Sequence, residues 1–165
     1  MIRLVLADDH DVVRTGLRLL LEVEPDFEVV GEAGDGEQAL ALVSSLRPQV
    51  LVLDLVMPGI GGLEVARRVH SDHPGTRMVI LSMHADEHYV ADALTSGAHG
   101  YVLKRSTGIH LAAAIRAAAR GERYLSPPLS EERLEAFRVR DGRATGDDPL
   151  ERLTARERQV LALAA

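Results

Sequence analysis

Residues Val50–Gly59, VLVLDLVMPG, constrain the fold more than any other stretch of the chain. Val50 to Leu53 form an unbroken apolar run that ends in Asp54, and Pro58 with Gly59 then marks a loop. A short apolar run without alternation suits a strand covered on both faces, as in a parallel sheet between helical layers. Asp54 then stands at the carboxyl end of a central strand, the edge where open α/β sheets carry ligands and chemistry. A lone carboxylate there is costly unless another group pairs with it.

The rest of the chain repeats the pattern. Ile2 to Ala7 reads as a first buried strand that runs into Asp8, Asp9 and His10. Val12, Val13, Leu17, Leu20 and Leu21 then recur at helical spacing, and Pro25 ends that helix. Phe27 to Gly31 is a short strand, followed by a Gly34–Asp35–Gly36 turn and a helix with Ala39, Leu40, Leu42 and Val43 inward. Beyond the Asp54 strand come helices over Gly62–His70, Asp86–Ser96 and Ile109–Ala119, separated by strands Arg77–Ser82 and Gly100–Lys104. Regular strand–helix alternation predicts a doubly wound, flavodoxin-like sheet of five parallel strands in the order 2-1-3-4-5. In that order Asp8 and Asp9, Asp54, Ser82 and Lys104 all end strands at one edge.

Gathered carboxylates repel one another and raise each other's pKa. A hard divalent cation such as Mg²⁺ offsets that repulsion, because it takes carboxylates, carbonyls and water as ligands and bridges to phosphate. An ammonium supplies a point charge for a phosphoryl oxygen, and a hydroxyl adds a hydrogen bond. Together these groups suit phosphoryl transfer to an aspartyl nucleophile. Lys104 is the single Lys among 19 basic residues, which sets it apart from a solvated surface charge.

Four separated motifs carry a resemblance: ADDH at Ala7–His10, VLDLVMPGIGG at Val52–Gly62, ILSMH at Ile80–His84 and GAHGYVLK at Gly97–Lys104. Over residues 1–121 the chain resembles the receiver domain of two-component response regulators, of the NarL/FixJ type with a LuxR-type helix-turn-helix. The resemblance implies that Asp54 is the phosphoacceptor and Asp9 a direct Mg²⁺ ligand, with Asp8 acting largely through water and the Val56 carbonyl as a further ligand. It also implies that Lys104 contacts the phosphoryl group, that Ser82 is the switch hydroxyl, and that Tyr101 turns inward when Ser82 is drawn away. Many receivers follow this Lys with a cis Pro; Arg105 stands here, so no cis bond is expected. Such a protein takes its phosphoryl group from a sensor histidine kinase. It catalyses only its own phosphorylation and dephosphorylation, and it forms a homodimer when phosphorylated, through either the fourth helix with strand five or the first and fifth helices.

Other aspartyl-phosphate chemistry fits less well. A haloacid-dehalogenase-type phosphohydrolase needs a second Asp two residues after the nucleophile, where this chain has Val56. A flavin protein of this topology would need a phosphate-binding loop after strand one, and Asp8 and Asp9 would repel that phosphate. A partner-binding module that is never phosphorylated would predict a damaged site, yet every expected residue is present. The pairs His70/His73 and His84/His88 have possible ligand spacings, but no cysteine supports a zinc site.

Composition agrees with a soluble, cytoplasmic protein: 46% hydrophobic and 27% charged residues, no cysteine, and no apolar run long enough to span a membrane. The amino terminus meets acidic residues after six positions, unlike a secretory signal. Residues 122–149 read as a linker, extended around Tyr124–Ser130, with one amphipathic helix over Glu131–Val139 and a turn-rich Asp141–Pro149. Residues 150–165 resemble the opening of a LuxR-type DNA-binding domain, with Thr154 and Glu157 as a capping box. The recognition helix would lie beyond Ala165. With a net charge of −6 overall, these 165 residues alone are expected to bind no DNA specifically.

Overall fold

The computed structural model describes residues 1–140. The turn-rich 141–149 segment and the expected helix-turn-helix start at 150–165 lie outside the described residues. Two units are distinguished, with the boundary after Leu129.

In the first unit strands and helices alternate as β1 (Ile2–Ala7), α1 (Asp11–Glu22), β2 (Phe27–Ala33), α2 (Gly36–Leu46), β3 (Val50–Asp54), α3 (Gly62–Asp72), β4 (Arg77–Ser82), α4 (Glu87–Thr95), β5 (Gly100–Leu103) and α5 (Thr107–Ala119). A short 3₁₀ turn, Lys104–Ser106, joins β5 to α5, and a two-residue strand β6 (Tyr124–Leu125) follows. All strands are parallel, in the order β2-β1-β3-β4-β5-β6. The expected five-strand order holds. The sixth strand is a correction: Tyr124 and Leu125, read as extended linker, pair with Gly100 and Tyr101. A two-residue strand bounded by Pro127 and Pro128 carries no periodicity for a sequence reading to find.

Every residue of β3 is buried, as its unbroken apolar run requires. Alternate residues of the central strands, among them Leu4, Leu6, Val50, Val52, Val79, Leu81 and Val102, form one core with Leu17 and Leu21 of α1 and Leu111, Ala114, Ile115 and Ala118 of α5. Each fully buried Leu or Ile contributes roughly 1.5–3 kcal/mol over leaving it exposed. Arg116 of α5 pins this face, donating to Asp26 and Glu24 and lying over the Phe27 ring. The α1 stripe is narrower than expected. Val12 is 86% exposed, being on the opposite side of the helix from the buried Leu17 and Leu21, and Val13, on their side but in the first turn, is 40% exposed.

Helix ends follow local chemistry. Asp35 caps α2 by accepting from Gln38 N at 2.8 Å. Gly97, at φ 108°, turns the chain out of α4, and a Cβ there would meet the His70 ring at 2.5 Å. The cis peptide among the described residues is Pro127–Pro128, and Lys104–Arg105 is trans as expected. In the second unit, α6 (Glu131–Arg140) begins where the Ser130 hydroxyl accepts from Arg133 N. No described helix is long and apolar enough to cross a membrane.

Candidate functional site

Strand register builds the site. Ala7 pairs with Leu53, Asp54 with Leu81, and Ser82 with Leu103, so the residues that end or follow β1, β3, β4 and β5 share one edge. Asp54 is the last residue of β3 and is only 4% exposed. Its Oδ1 accepts from Val56 N at 3.2 Å, and its Oδ2 accepts from Lys104 Nζ at 3.0 Å. Lys104 Nζ also donates to Asp8 Oδ2 at 3.2 Å, so one ammonium bridges two buried carboxylates. Asp8 Oδ1 accepts from His10 N at 2.8 Å, which engages both oxygens of Asp8.

Asp9 differs. Its Oδ1 is buried with no hydrogen-bond partner. His10 Nδ1 lies 3.1 Å away, at ion-pair distance but not aligned to donate. Among the described residues, the one group of potential metal ligands is Asp8, Asp9, His10 and Asp54, with donor atoms all within 4.8 Å of one another. A buried carboxylate oxygen without a donor is the kind of atom a cation satisfies. The mostly carboxylate set suits a hard ion over a soft one.

Burial pushes the Asp54 carboxyl above the ordinary carboxylate range, and the hydrogen bond and charge of Lys104 pull it back only in part. Burial works against the Lys104 charge as well. The hydrogen bond and charge of Asp54, joined by Asp8, outweigh it and hold the ammonium above the ordinary lysine value. The resting site is thus charge-paired around Lys104.

Ser82 and Tyr101 are at the same edge but do not touch the carboxylates in the hydrogen bonds they make. Ser82 Oγ accepts from His84 N at 3.0 Å, and Tyr101 Oη donates to the His84 carbonyl at 2.7 Å. Tyr101, expected to swing inward on switching, is already fully buried. Burial pushes its hydroxyl up to about 12, and the His84 carbonyl gives that hydroxyl the partner a buried tyrosine needs. The histidine pairs form no metal cluster among the described residues; His84 and His88 flank the Tyr89 ring at 4.4 and 4.2 Å.

Two supporting residues were missed from sequence. Arg14 NH1 donates to the Asp8 carbonyl at 2.6 Å and so holds the acidic loop from α1. Thr107 Oγ1 donates to the Lys104 carbonyl at 2.8 Å. Thr107 opens α5 directly after the strand-end Lys, a position where a hydroxyl commonly closes a turn, and that was the available signal.

Comparison with known proteins agrees with this geometry. Residues 4–116 match the family described as response regulator receiver domain. The transcriptional regulatory protein LiaR of Bacillus subtilis is 38% identical over 165 residues, covering 100% of this chain and 77% of that protein. The nitrate/nitrite response regulator NarL of Escherichia coli is 41% identical over 162 residues, covering 98% and 74%. Among solved structures, a LuxR-family two-component response regulator from an Aurantimonas species superposes with a TM-score of 0.78 at 37% identity, covering 84% of this chain and 99% of that one. The signal receiver domain of NarL from Mycobacterium tuberculosis gives 0.70 at 39% identity, covering 73% and 98%. With a family match over most of the described residues and such relatives along its length, the chain belongs to the two-component response regulators, among the LuxR-family transcription regulators.

Proposed function

We propose that residues 1–121 act as the receiver domain and that Asp54 takes up the phosphoryl group. The observation that carries this is the Lys104 ammonium held between Asp54 Oδ2 and Asp8 Oδ2 beside the unpartnered Asp9 Oδ1. A carboxylate that attacks phosphorus must be ionised and the phosphoryl charge must be offset, and a preorganised ammonium at the edge favours both. One Asp54 carboxylate oxygen attacks phosphorus in line, forming an O–P bond as the P–N bond of the donor phosphohistidine breaks and the imidazole leaves with that electron pair. Lys104 then follows the new charge from the carboxylate to a phosphoryl oxygen. Asp8, retaining His10 N, holds the acidic loop in place.

Asp9, Asp54 and the Val56 carbonyl would hold Mg²⁺, with Asp8 acting through water; bound there, the ion supplies charge neutralisation for the transferring group. Ser82 and Tyr101 form the switch. Both grip His84, one by its N–H and the other by its carbonyl, so a hydroxyl drawn toward the phosphoryl group releases the residue that anchors Tyr101. The donor is a phosphohistidine of a sensor histidine kinase, and phosphorylation favours a homodimer in the cytoplasm. The segment that follows β6 leads to residues 150–165, whose sequence resembles the opening of a LuxR-type DNA-binding output domain.

Intact-mass measurement after incubation with acetyl phosphate tests the core of this. A single phosphoryl adduct is expected that requires Mg²⁺ or Mn²⁺ and is absent in Asp54→Ala. Full labelling of Asp54→Ala would sink the assignment.

A further inference from the structure

The strand that delivers Lys104 is completed by a residue from outside the strand–helix alternation. β6 covers the outer edge of β5 only as far as Tyr101, which pairs with Leu125. In a continued parallel ladder the next N–H along that edge, Leu103 N–H, would donate to the Ser126 carbonyl. That carbonyl accepts instead from Leu129 N at 3.0 Å, as the chain turns through Pro127 and Pro128. The Ser126 side chain takes its place, and Leu103 N donates to Ser126 Oγ at 2.9 Å. Ser126 is 0% exposed, and its own N–H donates to the Tyr101 carbonyl at 3.0 Å.

The geometry points to Ser126 as a positioning residue for Lys104 in phosphoryl uptake, acting through the Leu103 amide. This rests on the role proposed for Lys104 above. Leu103 N–H is fastened by Ser126 Oγ and the Lys104 carbonyl by Thr107 Oγ1. On its other side β5 pairs with β4 up to the Ser82–Leu103 rung. Lys104 carries a long flexible stem, so the placement of Nζ at 3.0 and 3.2 Å from the two carboxylates depends on where its backbone is fixed. A buried Leu103 N–H without an acceptor drives the strand end to shift or admit water, and the ammonium moves with it. A serine just beyond the short sixth strand thereby becomes part of the phosphorylation site's support.

Initial rates of phosphoryl uptake from acetyl phosphate with Mg²⁺, measured on the full chain across donor concentrations, test this. Ser126→Ala should lower the limiting rate roughly tenfold, the scale expected for a sub-ångström misplacement of a catalytic group, with half-saturation unchanged. Ser126→Thr keeps the acceptor and should restore the rate. Ser126→Val has the shape of Thr without the hydroxyl and should not, so this pair decides the matter if the Ala variant fails to fold. In a Lys104→Ala background Ser126→Ala should add nothing, since coupled residues are non-additive. Wild-type uptake in Ser126→Ala beside slow Lys104→Ala would overturn the positioning role and leave the site intact. Equal rates for the Thr and Val variants, or additive losses in the double variant, would overturn it too. Wild-type uptake in Lys104→Ala would remove the proposed role of Lys104 itself, and this inference with it.

Discussion

Gly62 allows the sharpest quantitative test of how the fold positions Asp54. It is the first residue of α3 and is buried. A Cβ built on it would lie 2.5 Å from the Asp54 carbonyl oxygen, 2.7 Å from the Leu55 carbonyl oxygen and 2.8 Å from Leu55 Cα. All three are backbone atoms of the segment leaving β3, so no side-chain rotation relieves the overlap. Restoring ordinary contact at 3.4 Å requires the start of α3 and the acceptor loop to part by about 0.9 Å. Gly62 N also donates to the Leu55 carbonyl at 3.1 Å, and that bond stretches as the two part. Overpacking of this kind costs about 1–3 kcal/mol. In a unit of this size that is a fall in Tm of roughly 3–10 °C.

Gly61→Ala is the matched control, because nothing lies within 4 Å of its Cβ position and its φ is −70°. Loss of a tolerated Gly N-cap is there offset by reduced unfolded-state entropy, leaving a net change within about 0.5 kcal/mol. Differential scanning calorimetry of both variants, with uptake rates from acetyl phosphate, reads stability and chemistry together. Gly62→Ala should lose stability and, with Asp54 as the proposed nucleophile, slow uptake by up to roughly a hundredfold, since the displaced atoms belong to the backbone of Asp54 and Leu55. A Gly62→Ala variant that melts with wild type, or equal losses in the two variants, would refute this account of the acceptor loop.

Other perturbations read other parts of the site. Mg²⁺ at a hundred times its dissociation constant should raise stability by about 2.7 kcal/mol, a Tm shift of roughly 5–10 °C that Asp9→Asn removes; identical melts with and without the ion would count against a cation site. Because the folded Asp54 pKa is raised, its contribution to stability is fully present below the unfolded carboxylate pKa and is lost as pH rises through the folded value. Asp54→Asn should therefore melt higher than wild type near about pH 7, with the gap closing toward about pH 4; a gap that widens in acid would reverse the sign argued here. Ser82→Ala should accept phosphate yet lose the coupled rearrangement of residues 83–104, and chemical-shift changes identical to wild type would contradict that.

Much of this was legible because it rests on burial and chain order. The unbroken apolar run of β3 and the strand-ending charges predicted which residues share an edge, and the observed register places them there. Periodicity was less informative at the margins. Val12, five residues before Leu17 and nine before Leu21, falls on the opposite side of α1 and is exposed, while Val13 shares the buried face but sits in the first turn and is only part covered. β6 was illegible for another reason. Its pairing is two residues long, and it is held by packing of Tyr124 on the core, the His110–Tyr124 Oη contact and the Ser126 bonds to Tyr101 and Leu103, none of which a two-residue run announces.

The site divides in the same way. Asp8, Asp54 and Lys104 could be brought together from sequence because the parallel order puts all their strand ends at one edge, where buried carboxylates call for an opposite charge; Lys104 reaches both past the intervening β4, at 3.0 and 3.2 Å. The bonds that Ser82 and Tyr101 make to His84 could not, since they run from side chains to backbone groups that every residue possesses. No property of histidine at position 84 selects it to receive Tyr101 on its carbonyl while giving its N–H to Ser82; the loop geometry does. Both bonds are made to the backbone of His84, so on the proposed switch Ser82 and Tyr101 are linked through that residue while the tyrosine is already buried. A change at Ser82 therefore alters the anchor of a buried ring on β5, and β5 is the strand whose outer edge carries β6 and Ser126.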